Sequence, residues 1–118
     1  METLYDRHGK AVAFITDGEY IYLYSGKPVA WIHEDSVYAY SGHYLGWIYN
    51  AWFYDRRGRP AFFTEDSTGG PTRPTRATRP TKGTRGTRPT RGTRETRPTR
   101  PTRSSSWSES SDESYFKQ

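Results

Sequence analysis

Along residues 1–68 apolar residues do not recur at helical spacing; short runs rich in Tyr, Trp, Phe, Val and Ile flank glycines, the pattern of brief strands joined by turns. Aligning the chain on Gly9, Gly26, Gly42 and Gly58, which lie 17, 16 and 16 residues apart, superimposes four copies of one unit. Five residues before each glycine stands an apolar residue (Leu4, Ile21, Val37, Phe53), and four before it a tyrosine (Tyr5, Tyr22, Tyr38, Tyr54). The residue after it is Lys10, Lys27, His43 or Arg59; three after it comes Val12, Val29, Leu45 or Ala61, and five after it Phe14, Trp31, Trp47 or Phe63.

Each unit therefore reads as a hairpin. Asp6-Arg7-His8-Gly9 and Asp55-Arg56-Arg57-Gly58 suit a type I turn whose last residue takes positive φ, which glycine does at little cost, and Tyr24-Ser25-Gly26 and Tyr40-Ser41-Gly42 fit the same place. Thr16-Asp17-Gly18-Glu19, His33-Glu34-Asp35-Ser36 and Tyr49-Asn50 turn the chain back between units. The prediction is an all-β fold: four repeated β-hairpins, eight short up-and-down strands, in a shallow pseudo-four-fold barrel whose closure removes exposed edges. Strict alternation places the third and fifth residues after each glycine on one face, so Phe14, Trp31, Trp47 and Phe63 are expected to converge inside the barrel, as core or as pocket lining. Turns within units gather Lys10, Lys27, His43 and Arg59 on one rim; turns between units gather Asp17, Glu19, Glu34 and Asp35, with Glu65 and Asp66, on the other.

The stretches LYDRHGKAVAFI, IYLYSGKPVAWI, VYAYSGHYLGWI and WFYDRRGRPAFFT, with the exit STGGPTRP, resemble the four-fold beta flower proteins, small bacterial domains of four sequence-related hairpins. The likeness covers about residues 1–75 and includes a basic tail of three-residue repeats. It implies the shallow square barrel and, through a similarity of shape to Tubby-like C-terminal domains, lipid or small-ligand binding by analogy. It carries over no catalytic residues.

Composition changes the picture beyond residue 68. The net charge of +5 hides three blocks: residues 1–70 sum to −3, residues 71–103 to +10 and residues 104–118 to −2. From Pro71 to Arg103 the chain is eleven x-Thr-Arg triplets, with Lys82 once in place of arginine. Such a segment has little apolar surface to offset its ordering entropy, which predicts a disordered tail over residues 69–103, followed by a Ser-rich acidic tip over 104–118 that carries Trp107, Tyr115 and Phe116. The tip aromatics are read as exposed, or as anchors onto a partner or onto the barrel.

Candidate chemistry is sparse. There is no cysteine, which removes disulfides and thiol chemistry and makes a reducing cytoplasmic setting the default, with peripheral attachment to a membrane as the variant. No apolar run approaches the ~20 residues of a membrane helix. His8, His33 and His43 fall on different turns, which disfavours a shared metal, and no nucleophile elbow or phosphate loop is present, so neither enzyme nor cofactor is expected.

Two binding readings remain. In the first, a non-enzymatic adaptor module takes a lipid-like or anionic small ligand at the barrel mouth, its head held by Lys10, Lys27, His43 and Arg59 and its apolar part by Phe14, Trp31, Trp47 and Phe63. In the second, the barrel is a scaffold, and Arg73, Arg76, Arg79, Lys82, Arg85, Arg88, Arg91, Arg94, Arg97, Arg100 and Arg103 bind nucleic acid or an anionic membrane surface without sequence preference. A tract of that kind can instead lie against its own acidic rim.

Overall fold

The computed structural model describes residues 2–118. Eight strands, β1 (Glu2–Tyr5), β2 (Ala11–Thr16), β3 (Tyr20–Leu23), β4 (Pro28–His33), β5 (Ser36–Tyr38), β6 (Tyr44–Tyr49), β7 (Trp52–Asp55) and β8 (Pro60–Phe62), pair antiparallel in chain order. The sheet closes where Tyr5 meets Phe63: each amide donates to the other's carbonyl, at 2.9 and 3.0 Å. The four-hairpin barrel expected from the repeat is thus the architecture found, and its up-and-down order puts the turns within units on one rim and those between units on the other.

Turn chemistry follows the sequence. The amides of Gly9, Gly26, Gly42 and Gly58 donate to the carbonyls of Asp6, Leu23, Ala39 and Asp55 at 2.8–3.1 Å, and all four glycines have φ between 82 and 98°. In the first and last units the aspartate completes the turn, Asp6 Oδ1 accepting from the amides of His8 and Lys10, and Asp55 Oδ1 from those of Arg57 and Arg59.

Strict alternation fails at one place, repeated four times. The register shifts between Leu4 and Tyr5, Ile21 and Tyr22, Val37 and Tyr38, and Phe53 and Tyr54. Leu4 faces Ala13 and Tyr5 faces Ala11, so Val12 has no partner; Val29, Leu45 and Ala61 are passed over in the same way. A bulge of this kind sends two successive residues to one side. Leu45 and Ala61, with Val12 and Val29 packed alongside, therefore join the same core as Ala13, Ala30 and Phe62, and Phe14, Trp31, Trp47 and Phe63 turn to the opposite face. The expectation that these four aromatics fill or line the barrel is corrected: they form an outer layer, stacked on the repeat tyrosines in the pairs Phe14–Tyr22, Trp31–Tyr38, Trp47–Tyr54 and Phe63–Tyr5 at 5.2–5.6 Å.

The interior is filled from within the chain. Leu4, Ile21, Val37, Phe53 and Phe62 surround Tyr115 and Phe116, delivered by the short 3₁₀ helix Glu113–Lys117. Tyr115 is fully buried and donates its hydroxyl to the Tyr54 carbonyl at 2.9 Å. Gly46 makes the room, since a Cβ there would strike both the Tyr54 carbonyl and the Tyr115 hydroxyl. The tip aromatics are anchors onto the protein's own barrel, Trp107 lying against Trp52 and Phe63.

Residues 71–103 contain no regular secondary structure, yet they do not form the disordered tail that composition suggests: they run extended over the outer aromatic layer. Composition alone misleads because the apolar surface that makes ordering favourable belongs to the barrel, which supplies it ready-made. Six of the eight prolines lie in this stretch and lower the entropy lost on laying it down.

Candidate functional site: a cationic girdle on an aromatic wall

The tail visits the hairpins in order. Ala77, Gly86, Glu95 and Ser104 each donate a backbone N–H to the carbonyl of a repeat glycine, Gly9, Gly26, Gly42 and Gly58 respectively, at 2.8–2.9 Å. The donors are nine residues apart while their acceptors are sixteen or seventeen apart, so three triplets of tail span one hairpin of barrel. At the ~3.1 Å rise of a polyproline-type chain nine residues cover about 28 Å, and four such steps about 110 Å. That matches the perimeter of a disc 36–37 Å across, the width of this molecule, which is only 22 Å thick.

Each repeat glycine has a second reason to lack a side chain. A Cβ on Gly9, Gly26 or Gly42 would run into the carbonyl of Thr75, Thr84 or Thr93, and one on Gly58 would stand 2.8 Å from that of Thr102. These threonines are again nine apart.

The cations inherit the same period. Lys82, Arg91 and Arg100 sit over Phe14, Trp31 and Trp47 at 5.1, 4.3 and 5.3 Å, and Arg73 lies in a surface hollow with Phe63. Arg76, Arg85 and Arg94 sit over the repeat tyrosines Tyr5, Tyr22 and Tyr38 at 5.7–5.9 Å. Arg103 covers Tyr49 at 3.7 Å and Arg88 covers Tyr20 at 3.8 Å, close enough for cation–π attraction. Carboxylates of the opposite rim take four of the cations: Arg76 on Glu65, Arg91 on Glu19, and Arg97 and Arg100 together on Asp35. Arg100 bonds both oxygens of Asp35, at 2.7 and 2.9 Å, and holds that carboxyl below its ordinary range; Arg91 does the same to Glu19.

The tail's one acid is also placed by this register. Glu95 Oε1 accepts from the Tyr44 amide at 2.5 Å and stands 3.1 Å from His43 Nδ1, while Arg56 Nη1 lies 2.8 Å from His43 Nε2. Trp52 joins the two ends of the girdle: its indole N–H points at the Thr68 and Gly69 carbonyls where the tail leaves β8, and Trp107, past the last triplet, packs edge-on against its ring.

Of the residues singled out in the sequence, the eleven tail cations come together in one belt, whereas the proposed mouth does not assemble. Lys10 borders a hollow with Tyr24, Pro80 and Asp112, Arg59 a different one with Arg56, Arg57 and Ser108, and His43 pairs with Glu95. The aromatics meant to sit beneath them face outward under the tail. Glu19, Asp35 and Glu65 belong to the acidic rim that the sequence offered as a resting place for the tail, whereas sequence reasoning passed over Tyr20 and Trp52 as its receptors and Glu95 as the partner of His43; the nine-residue recurrence of Pro71, Pro80, Pro89 and Pro98 was the available signal.

The family described as 4-fold beta flower protein matches residues 2–116, the girdle and tip included. No curated protein and no solved structure matches the chain.

Proposed function

The chain belongs to the four-fold beta flower family, and on that premise we propose that it is a non-enzymatic binding module whose working surface is the girdle and whose partner is nucleic acid, bound through phosphates without sequence preference. One observation carries the reading: all the tail cations except Arg100 are exposed, and seven of the eleven, Arg73, Arg79, Lys82, Arg85, Arg88, Arg94 and Arg103, form no ion pair within 4.0 Å among the described residues. Docking therefore leaves the girdle strongly positive. It also fixes the cations in advance, so a polyanion would bind without first ordering a flexible chain.

A ligand inside the barrel loses support, since Phe62, Tyr115 and Phe116 occupy that space. A cytoplasmic setting belongs to this reading because the chain has no cysteine. No helix among the described residues is long and apolar enough to cross a membrane.

The test is fluorescence anisotropy with a random 20-base-pair duplex across a series of KCl concentrations. With four to seven phosphates neutralised, log K should fall against log salt with a slope of about −4 to −6. Arg79→Gln, at a side chain that among the described residues lies over no ring and in no ion pair, should lower the slope by about one without loss of stability. Absence of salt-sensitive binding at low salt would overturn the proposal. Tighter binding to phosphatidylserine vesicles than to the duplex would replace nucleic acid with a membrane surface.

A further inference from the structure

Written in nines, the tail is no longer a monotonous triplet repeat. The first position of each nine is always proline: Pro71, Pro80, Pro89, Pro98. The fourth is Pro74, Gly83, Gly92, Pro101, and the seventh is Ala77, Gly86, Glu95, Ser104, never proline. Each choice has a counterpart on the barrel. The seventh position must supply the N–H that bonds a hairpin glycine carbonyl, which proline lacks.

At the fourth position Gly83 and Gly92 donate to the Tyr24 and Tyr40 carbonyls at 2.7 Å. A Cβ on either would strike the carbonyl of Ser25 or Ser41. These glycines face the two Tyr-Ser-Gly turns, while Pro74 and Pro101 fall to the two Asp-Arg turns. There proline has no N–H to give to the turn, and the turn is held from the C-terminal tip, the amides of Arg7 and Arg56 donating to Ser111 Oγ at 2.9 Å and Gln118 Oε1 at 3.4 Å. The order Pro, Gly, Gly, Pro along the tail thus repeats the order of turn types around the barrel.

We propose that the outer wall of the barrel is a peptide-binding surface of four subsites, each reading an extended Pro-Thr-(Arg or Lys)-(Pro or Gly)-Thr-Arg-(not Pro) segment that continues with Thr-Arg in the first three, and that the tail of a second copy is its ligand in trans. Aromatic faces under eight of the eleven cations give affinity; the two amide donors and the glycine clearances give register. A purely electrostatic strap would need only the arginines. The barrel's own tail holds the site in cis at high effective concentration, so a trans ligand gains access where the cis segment is loosened. The second copy offers the identical contacts, which is the condition for exchange between chains.

The full chain carrying Pro89→Gly together with Gly92→Pro has unchanged length, charge and composition. It loses the Gly92 donor and places a ring against Ser41. Amide hydrogen exchange of Glu95 and Tyr44 is expected to rise about tenfold or more, the consequence of losing the Gly92 hydrogen bond that holds this stretch of tail in place. Ala77 and the core amide of Ile21 should keep their protection, which shows the barrel intact. Unchanged exchange at Glu95 would overturn the register.

The same variant is then titrated with a peptide of residues 80–97 and with one in which the x residues of its triplets are permuted. Restored protection of Tyr44 by the native peptide, at about tenfold lower concentration than by the permuted one, is the expected result. Equal potency, or no binding of either peptide, overturns the trans site. Neither outcome bears on whether the girdle binds duplex.

Discussion

Tyr115 is the sharpest place to test whether the barrel is closed by its own C-terminus. The side chain is fully buried, meets Phe62 and Phe116 edge-on at 5.2 Å and donates to the Tyr54 carbonyl. An aromatic of this size buries about 200 Å², which at ~25 cal/mol per Å² is worth about 5 kcal/mol as an upper estimate. Residual compactness of the unfolded chain lowers that to about 3–4 kcal/mol. Tyr115→Ala should accordingly cost about 3–5 kcal/mol, the range for deleting a buried aromatic. Tyr115→Phe should cost about 1 kcal/mol, because it removes the hydrogen bond to the Tyr54 carbonyl while keeping the ring. Equilibrium urea denaturation of the full chain, followed by tryptophan fluorescence, gives both values, with Lys117→Ala as the exposed control expected within about 0.5 kcal/mol of the parent. A cost below about 1 kcal/mol for Tyr115→Ala, with an unchanged denaturant slope, would show that the C-terminal segment does not close the barrel, because a plug that can be removed so cheaply fills nothing.

Two further expectations concern the girdle. Gly18 and Gly42 both have positive φ, 66 and 94°, but a Cβ on Gly18 meets nothing within 4 Å, whereas one on Gly42 meets the Thr93 carbonyl. Alanine at Gly18 should therefore cost only the conformational ~1–2 kcal/mol, and alanine at Gly42 distinctly more, with loss of exchange protection at the Glu95 amide; equal costs and intact protection would mean that the tail does not pass there. For pH, the carboxyls of Asp35 and Glu19 lie below their ordinary values in the folded chain, chiefly through hydrogen bonds from Arg100 and Arg91. Carboxylates so lowered add stability that is present above the ordinary range, about 4, and is lost as the pH falls through their folded values. Exchange protection of Gly92 and Glu95, corrected for intrinsic rates, should hold from neutral pH to about 5 and fall below about 4; Asp35→Asn should remove part of that dependence, and a flat profile in the parent would count against these pairs.

The hairpin and its fourfold recurrence are legible in the residues alone. Glycine with a tyrosine four before it and an aromatic five after it, four times over, specifies strand, turn and strand locally, and the positive φ seen at Gly9, Gly26, Gly42 and Gly58 is what those turns require. The direction in which the aromatics face and the course of the tail follow instead from contacts between strands distant in sequence. The bulges at Val12, Val29, Leu45 and Ala61 reverse the alternation just before Phe14, Trp31, Trp47 and Phe63, and a single strand's pattern does not mark a residue that its partner will skip. The nine-residue order of Pro, Gly and non-Pro in the tail stood in the sequence from the start, but it acquires meaning only against a barrel perimeter, a length that exists once eight strands have closed. Each arginine's attraction to a ring is worth only about 0.5–1 kcal/mol at an exposed site, too little to order a chain alone. Closure sets the rings at the spacing of the arginines and lets those small terms act together.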